Sequence, residues 1–221
     1  MKSILSTKKL TESQKAMLPK DVTLVEYDAI KISYHQITIP KIIENAIITS
    51  QNTVQAILDN NIKIQNCFCV GEKTKIMLEE NGFKVIENTD YGQDLAEKIT
   101  QSHKDKRFTF FCGSRRLDII PEMLKKHSVS FEEIELYQVD FNPKKIERIF
   151  DGILFFSPSG VQSFVLENSI ENVVCFCIGT TTANECRSVK FYGSNADKIV
   201  IAIKPTVENV IVEVINYFNE K

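Results

Sequence analysis

Two runs in the last third of the chain pair apolar strand-like residues with small hydroxyl and glycine residues. They are Phe155-Phe156-Ser157-Pro158-Ser159-Gly160 and Cys175-Phe176-Cys177-Ile178-Gly179-Thr180-Thr181-Thr182-Ala183. In each, an apolar strand stops where a helix-like segment takes over. Strand, polar tight turn and helix together aim unpaired helix N-terminal N–H groups at an anion or polar ligand. The earlier chain carries the same pair, Ile47-Ile48-Thr49-Ser50-Gln51-Asn52 and Cys67-Phe68-Cys69-Val70-Gly71-Glu72-Lys73-Thr74. Thr49 lies 22 residues before Gly71 and Ser157 lies 22 before Gly179, so the chain contains an internal duplication. Thr49, Ser50, Thr74, Ser157, Ser159, Gly160, Thr181 and Thr182 are the candidate ligand contacts; the bland reading of each hydroxyl is a helix N-cap.

The elements that position these turns alternate along the chain. Strands are expected at Ile4–Ser6, Val22–Val25, Ala46–Thr49, Cys67–Val70, Phe83–Ile86, Phe108–Cys112, Ile153–Phe156, Val173–Ile178, near Phe191, and at Ile199–Ile203. Helices are expected at Thr11–Met17, Thr53–Leu58, Lys73–Glu80, Asp94–Ile99 and Ile119–Leu124, the last opened by Gly113-Ser114, and at Val207–Phe218. Near-continuous apolar strands between helices predict α/β architecture with parallel sheets covered on both faces. The repeat extends further, since Val25-Glu26-Tyr27 resembles Glu135-Leu136-Tyr137. Residues 1 to about 27 therefore match about 108 to 137. The layout this favours is nested: residues 1–30 with 141–221 form one domain, 36–135 an inserted second, and 31–35 with 136–140 paired extended connectors. Sequential halves split near residue 107 are the alternative.

With 221 residues, 43% hydrophobic and 25% charged, the chain has ample core material. A net charge of −2 and no long basic run argue against a nucleic-acid partner. No apolar stretch approaches the roughly 18 residues of a membrane span, and the N-terminal run is too short and polar for a signal peptide, so a cytoplasmic protein is expected. The six cysteines include two C-x-C pairs inside apolar strands and no C-x-x-C, and the three histidines are scattered. Buried structural thiols are the expectation, not a metal site. Glu79-Glu80 and Glu132-Glu133 are read as solvated faces.

Phe156-Ser157-Pro158-Ser159-Gly160-Val161 followed by Ile178-Gly179-Thr180-Thr181-Thr182-Ala183 resembles the C-terminal signature of the uroporphyrinogen-III synthase family. Thr49-Ser50-Gln51-Asn52-Thr53-Val54 and Val70-Gly71-Glu72-Lys73-Thr74 resemble the family's other pair. Phe111-Cys112-Gly113-Ser114-Arg115-Arg116 and Leu136-Tyr137-Gln138-Val139 fill its middle. The resemblance implies a two-domain lyase with a cleft between its domains, acting without metal or organic cofactor. It would convert the linear tetrapyrrole hydroxymethylbilane into uroporphyrinogen III, losing water and inverting the last ring. The implied partners are that substrate and the neighbouring enzymes of the pathway, and the implied state is a monomer. Only five arginines are present, so helix-start N–H groups and hydroxyls are the expected carboxylate receptors. The matching Tyr-Gln pair implies Tyr137, in a connector, as the acid; a phenol donates a proton or hydrogen bond to a departing hydroxyl while itself neutral. This chain departs from the pattern at Cys177, where some members carry lysine.

Two other classes fit parts of the sequence. A flytrap-type binding protein would share the hinge and helix-start donors without chemistry. A dinucleotide-dependent enzyme would need G-x-G-x-x-G or G-x-x-x-x-G-K-[ST], and neither occurs.

Overall fold

The computed structural model describes residues 2–39, 41–189 and 199–219. It opens with strand β1 (Lys2–Ser6), helix α1 (Glu12–Lys15), strand β2 (Val22–Glu26) and strand β3 (Ile30–Tyr34). Next come β4 (Ile43–Ile48), α2 (Gln51–Asp59), β5 (Ile64–Val70), α3 (Glu72–Glu80) and β6 (Val85–Thr89). Then follow α4 (Gly92–Ser102), β7 (Arg107–Gly113), α5 (Ile119–Lys126) and the long β8 (Ser130–Phe141). The last third alternates β9 (Gly152–Phe155), α6 (Pro158–Val165), β10 (Val174–Cys177), α7 (Thr180–Val189), β11 (Ile199–Ile201) and α8 (Val207–Asn219). The strand expected near Phe191 lies outside the described residues.

The chain divides into two compact units, Met1–Lys31 with Asp140–Lys221, and Ile32–Val139. In the first, the sheet order is β11-β10-β9-β1-β2; in the second it is β3-β8-β7-β4-β5-β6. Matching β9, β10, β11, β1 and β2 to β4, β5, β6, β7 and β8 gives one and the same order, with β3 added at an edge. The ladders among these ten strands are parallel. The segments expected as connectors, 31–35 and 136–140, lie largely in β3 and β8, which are neighbours in the second sheet, and His35 N donates to Leu136 O at 2.9 Å.

Side-chain alternation along the strands sorts the cores. In β10, Cys175 and Cys177 belong to a cluster with Val161, Ala183 and Cys186, while Val174 and Phe176 face Val210, Ile211 and Val214. In β5, Cys67 and Cys69 join Val54, Ile57 and Leu78, while Phe68 meets Leu95, Ile99 and Phe108. Both C-x-C pairs thus line the same face of equivalent sheets, as a period of two requires. All six thiols are free and buried.

The duplication reaches single hydrogen bonds. Asn60, just past α2, accepts from Ile37 N at 2.7 Å and donates to His35 O at 3.0 Å and Ala56 O at 2.8 Å. Asn168, 108 residues later, accepts from Ile146 N at 2.9 Å and donates to Lys144 O at 2.8 Å and Phe164 O at 3.1 Å. Each amide ties the segment entering a strand (β4 or β9) to the end of the helix that follows that strand (α2 or α6).

Candidate functional site

In parallel α/β sheets the ligand crevice lies outside the carboxyl ends of the strands, where neighbouring crossovers depart in opposite directions. That point falls between β9 and β1 in one unit and between β4 and β7 in the other. Beyond β9, Ser157 caps α6, its Oγ accepting from Gly160 N at 3.0 Å, and Pro158 takes the first turn, where its missing N–H costs nothing. Ser159 is half-buried in that turn. A Cβ on Gly160 would lie 3.3 Å from Ser157 Oγ and 3.7 Å from Thr7 Oγ1. Thr7, just past β1, donates its hydroxyl to Leu154 O at 2.7 Å. The structure therefore gathers Ser157, Gly160 and Thr7 around the start of α6. Thr7 went unpredicted; its signal is the Ser6-Thr7 hydroxyl pair ending a short apolar strand.

Beyond β10, Gly179 is buried, yet apart from its chain neighbours no described atom lies within 4 Å of where a Cβ would stand, so the first turn of α7 leaves space there. Thr181 is exposed, whereas Thr182 is fully buried and its Oγ1 has no hydrogen-bond partner among the described residues. The two threonines therefore point to different surroundings. Cys177, where a lysine was the family alternative, is fully buried with its Sγ 3.6 Å from Cys186 Sγ.

In the other unit the cap of α2 is Ser50, whose Oγ accepts from Asn52 N at 3.2 Å. Thr49 lies half-buried between β4 and that cap, so it does not itself start the helix. Thr53 is fully buried with a hydroxyl unpartnered among the described residues, a feature hidden by its place inside an ordinary helical run. Gly71 begins α3 with φ +87° and no side-chain cap, and Thr74 is buried in the same turn. A Cβ on Gly71 would lie 3.8 Å from Thr74 Oγ1.

Tyr137 sits within β8, not in a free connector, and is 7% exposed. It pairs in register with Gly113, the last residue of β7, and a Cβ on Gly113 would fall 2.3, 2.5 and 2.9 Å from its Cε2, Cζ and Cδ2. Ser114 N donates to Tyr137 O at 3.0 Å, and Ser114 Oγ accepts from Val139 N at 2.9 Å. Arg115 Nε donates to Val139 O at 3.1 Å, and the Tyr34 ring lies 6.1 Å from that of Tyr137. Gly113-Ser114 was expected to open the next helix. Instead β7 ends at Gly113, a turn follows, and α5 starts after Asp118. The cause is long-range: Arg116 is held by Asp118 and by Glu133 of β8, which keeps this stretch out of the helix. Glu133 is thus an ion-pair partner, and Glu132 accepts from Thr109 Oγ1 at 3.1 Å, so neither is merely a solvated face. A cavity of about 430 Å³ is lined by Cys112, Gly113, Ser114, Arg116, Asp118, Glu133 and Glu135.

Tyr27 occupies the corresponding place after β2, also 7% exposed. Its hydroxyl is buried and lacks a partner among the described residues, and burial pushes its phenol up to about 12. Among the described residues, no group of three or more His, Cys, Asp or Glu is arranged to hold a metal ion, and no helix is long and apolar enough to cross a membrane.

Paired α/β units with helix starts ranged at the carboxyl ends of their strands define a fold that solved structures share. Uroporphyrinogen-III synthetase from Helicobacter pylori matches with a TM-score of 0.69 at 17% identity, over 98% of this chain and 100% of that one. A mutant uroporphyrinogen-III synthase from Thermus thermophilus matches with a TM-score of 0.64 at 13% identity, over 100% of both chains. A protein of Archaeoglobus fulgidus with a provisional assignment as uroporphyrinogen-III synthase is 23% identical over 167 residues, 70% of this chain and 73% of that one. The model of the uroporphyrinogen-III synthase HemD family matches residues 26–211. The chain belongs to that family, whose members are enzymes of heme biosynthesis.

Proposed function

We propose that this chain is a working uroporphyrinogen-III synthase, a cyclising hydro-lyase that acts on hydroxymethylbilane in the cytoplasm as a monomer. The family match across residues 26–211 carries this reading. The reaction expels the terminal hydroxyl of the linear tetrapyrrole as water and closes the macrocycle with its last ring inverted. Tyr137 donates a proton to the departing oxygen while a pyrrole nitrogen pushes the electron pair outward. The resulting cation bonds to the substituted α-carbon of the last ring and gives a spiro intermediate. The bond from that carbon to its original methylene bridge then breaks, and the freed methylene cation bonds to the ring's unsubstituted α-carbon. That carbon releases its proton as the ring becomes aromatic again, so the balance closes with the loss of one water.

Carboxylates of the substrate are received by helix-start N–H groups and their neighbouring hydroxyls. The support is chemical. The adjacent arginines are engaged within their own unit, Arg116 with Asp118 and Glu133 and Arg115 with the Val139 carbonyl. By contrast, the start of α7 has unfilled space beside Gly179, and Thr182 holds a hydroxyl without a partner among the described residues. A buried hydroxyl left unpaired costs about 1–3 kcal/mol, a cost that a bound acceptor removes.

The test is conversion of hydroxymethylbilane followed by oxidation and separation of the isomers. Type I forms without the enzyme, so the expected result is type III in clear excess. Type I alone, at the uncatalysed rate and with folded protein, would overturn the proposal.

A further inference from the structure

We infer that Gly113 and Ser114 are positioning residues for Tyr137: the bare backbone of Gly113 forms the floor on which the phenol ring rests, and Ser114 clamps the strand just after that ring, from the Tyr137 carbonyl to the Val139 N–H. The inference rests on the assignment of Tyr137 as the acid and adds what sets the place of its hydroxyl.

The geometry is specific. Any side chain at 113 would put a carbon 2.3–2.9 Å from three ring atoms of Tyr137, closer than real Cβ contacts allow. The backbone of Gly113 is not left-handed, so the requirement comes from the ring, not from φ. The contact falls where the β7–β8 register shifts, between Cys112 and Gly113, and that shift sets Gly113 opposite Tyr137. A register irregularity of this kind re-aims a side chain at a strand end. Ser114 then holds the backbone through two bonds, its N–H to Tyr137 O and its Oγ accepting from Val139 N. The ring is pinned from below by Gly113 and flanked by Tyr34.

The duplicated unit supplies the contrast. Tyr27 follows β2 as Tyr137 follows the matching part of β8, yet Thr7 stands beyond β1 and the Tyr27 hydroxyl is sealed without a partner among the described residues. Two tyrosines in equivalent places thus stand on different neighbours, and the glycine floor belongs to the one assigned to chemistry.

Gly113→Ala is the direct test, because a tyrosine ring can swing aside and the fold can survive. Carbon-13-labelled tyrosine gives ring signals for six tyrosines, with Tyr137 identified by its loss in Tyr137→Phe. Gly113→Ala should move that signal, with that of its ring neighbour Tyr34, and leave the other four in place. Its turnover should fall by about as much as in Tyr137→Phe, roughly 100-fold. The double variant should fall no further, since the glycine acts only through the tyrosine. Ser114→Ala removes a single hydrogen bond and should lower kcat roughly 2- to 10-fold with KM unchanged, while Ser114→Thr restores it.

An unmoved Tyr137 signal in Gly113→Ala overturns the inference, as do losses that multiply in the double variant. Should Gly113→Ala not fold, a Ser114→Ala enzyme of wild-type kcat and unmoved ring signal overturns it. Wild-type turnover in Tyr137→Phe, with the ring still displaced by Gly113→Ala, overturns the acid assignment, and that pattern tells the two failures apart.

Discussion

Removing the Tyr27 hydroxyl should raise stability rather than lower it. That oxygen is buried and unpartnered among the described residues, and losing an unsatisfied polar group recovers about 1–3 kcal/mol. The pH dependence has a definite sign. In the unfolded chain a tyrosine ionises near pH ~10, whereas folding pushes Tyr27 up to about 12. Below the first value both states hold the proton; between the two only the folded state does. Stability is therefore lost as pH rises through that window. Tyr27→Phe escapes this loss, so the gap in urea midpoint between variant and wild type should widen above pH ~10, and an equal gap at about pH 8 and about pH 11.5 would refute it. Turnover of Tyr27→Phe should stay near wild type, while Tyr137→Phe should lose about 10²-fold in rate, the low end for a general acid. Sequence could identify both tyrosines through the repeat. It could not separate them, because the difference lies in what covers each ring: Gly113 stands 24 positions before Tyr137 and is brought beneath it only by the β7–β8 ladder.

At the scale of elements, matching helix starts are not interchangeable. Gly71 opens α3 with φ +87°, a left-handed backbone that costs an L-residue about 1–2 kcal/mol, so Gly71→Ala should lower stability by that amount. Gly179 opens α7 without such a backbone and with open space where a Cβ would go. Gly179→Ala should fold at least as well as wild type, yet its methyl should obstruct an anion approaching the α7 N–H groups and weaken product binding. Thr182→Val should show the same opposition, stability up and affinity down. Thermal unfolding paired with calorimetric titration of product checks each, and unchanged affinity in both variants would leave these turns as caps alone. The constant 108-residue offset makes the helix starts legible in the sequence. Cap identity at Ser50 over Thr49, and the delayed start of α5, were not legible. The first turns on one hydrogen bond, and the second on Arg116 reaching across to Glu133.

For the whole molecule, residues 32–139 contain every strand of one sheet from Ile32 of β3 through Val139 of β8. That fragment should unfold as one cooperative transition. A fragment of residues 1–107 should not, since it separates β1 from β9 and β4 from β7, leaving apolar strand edges bare. Cooperative melting of 1–107, with none for 32–139, would reject the nested arrangement. The alternation of strands and helices was open to view in the sequence. The partnership of β3 with β8 was not, because an alternating polar-apolar stretch declares itself extended without declaring its neighbour. The strand order also has a consequence in time. Strand β1 lies between β2 and β9, and Gly152 of β9 is made 146 residues after Ser6. At ribosomal rates of roughly 5–20 residues per second, β1 waits roughly 7–30 s with one flank unpaired. The nascent chain must therefore shelter Ile4 and Leu5, both fully buried in the finished fold, while the whole of the other unit is synthesised, and this is the interval in which a chaperone has most to hold.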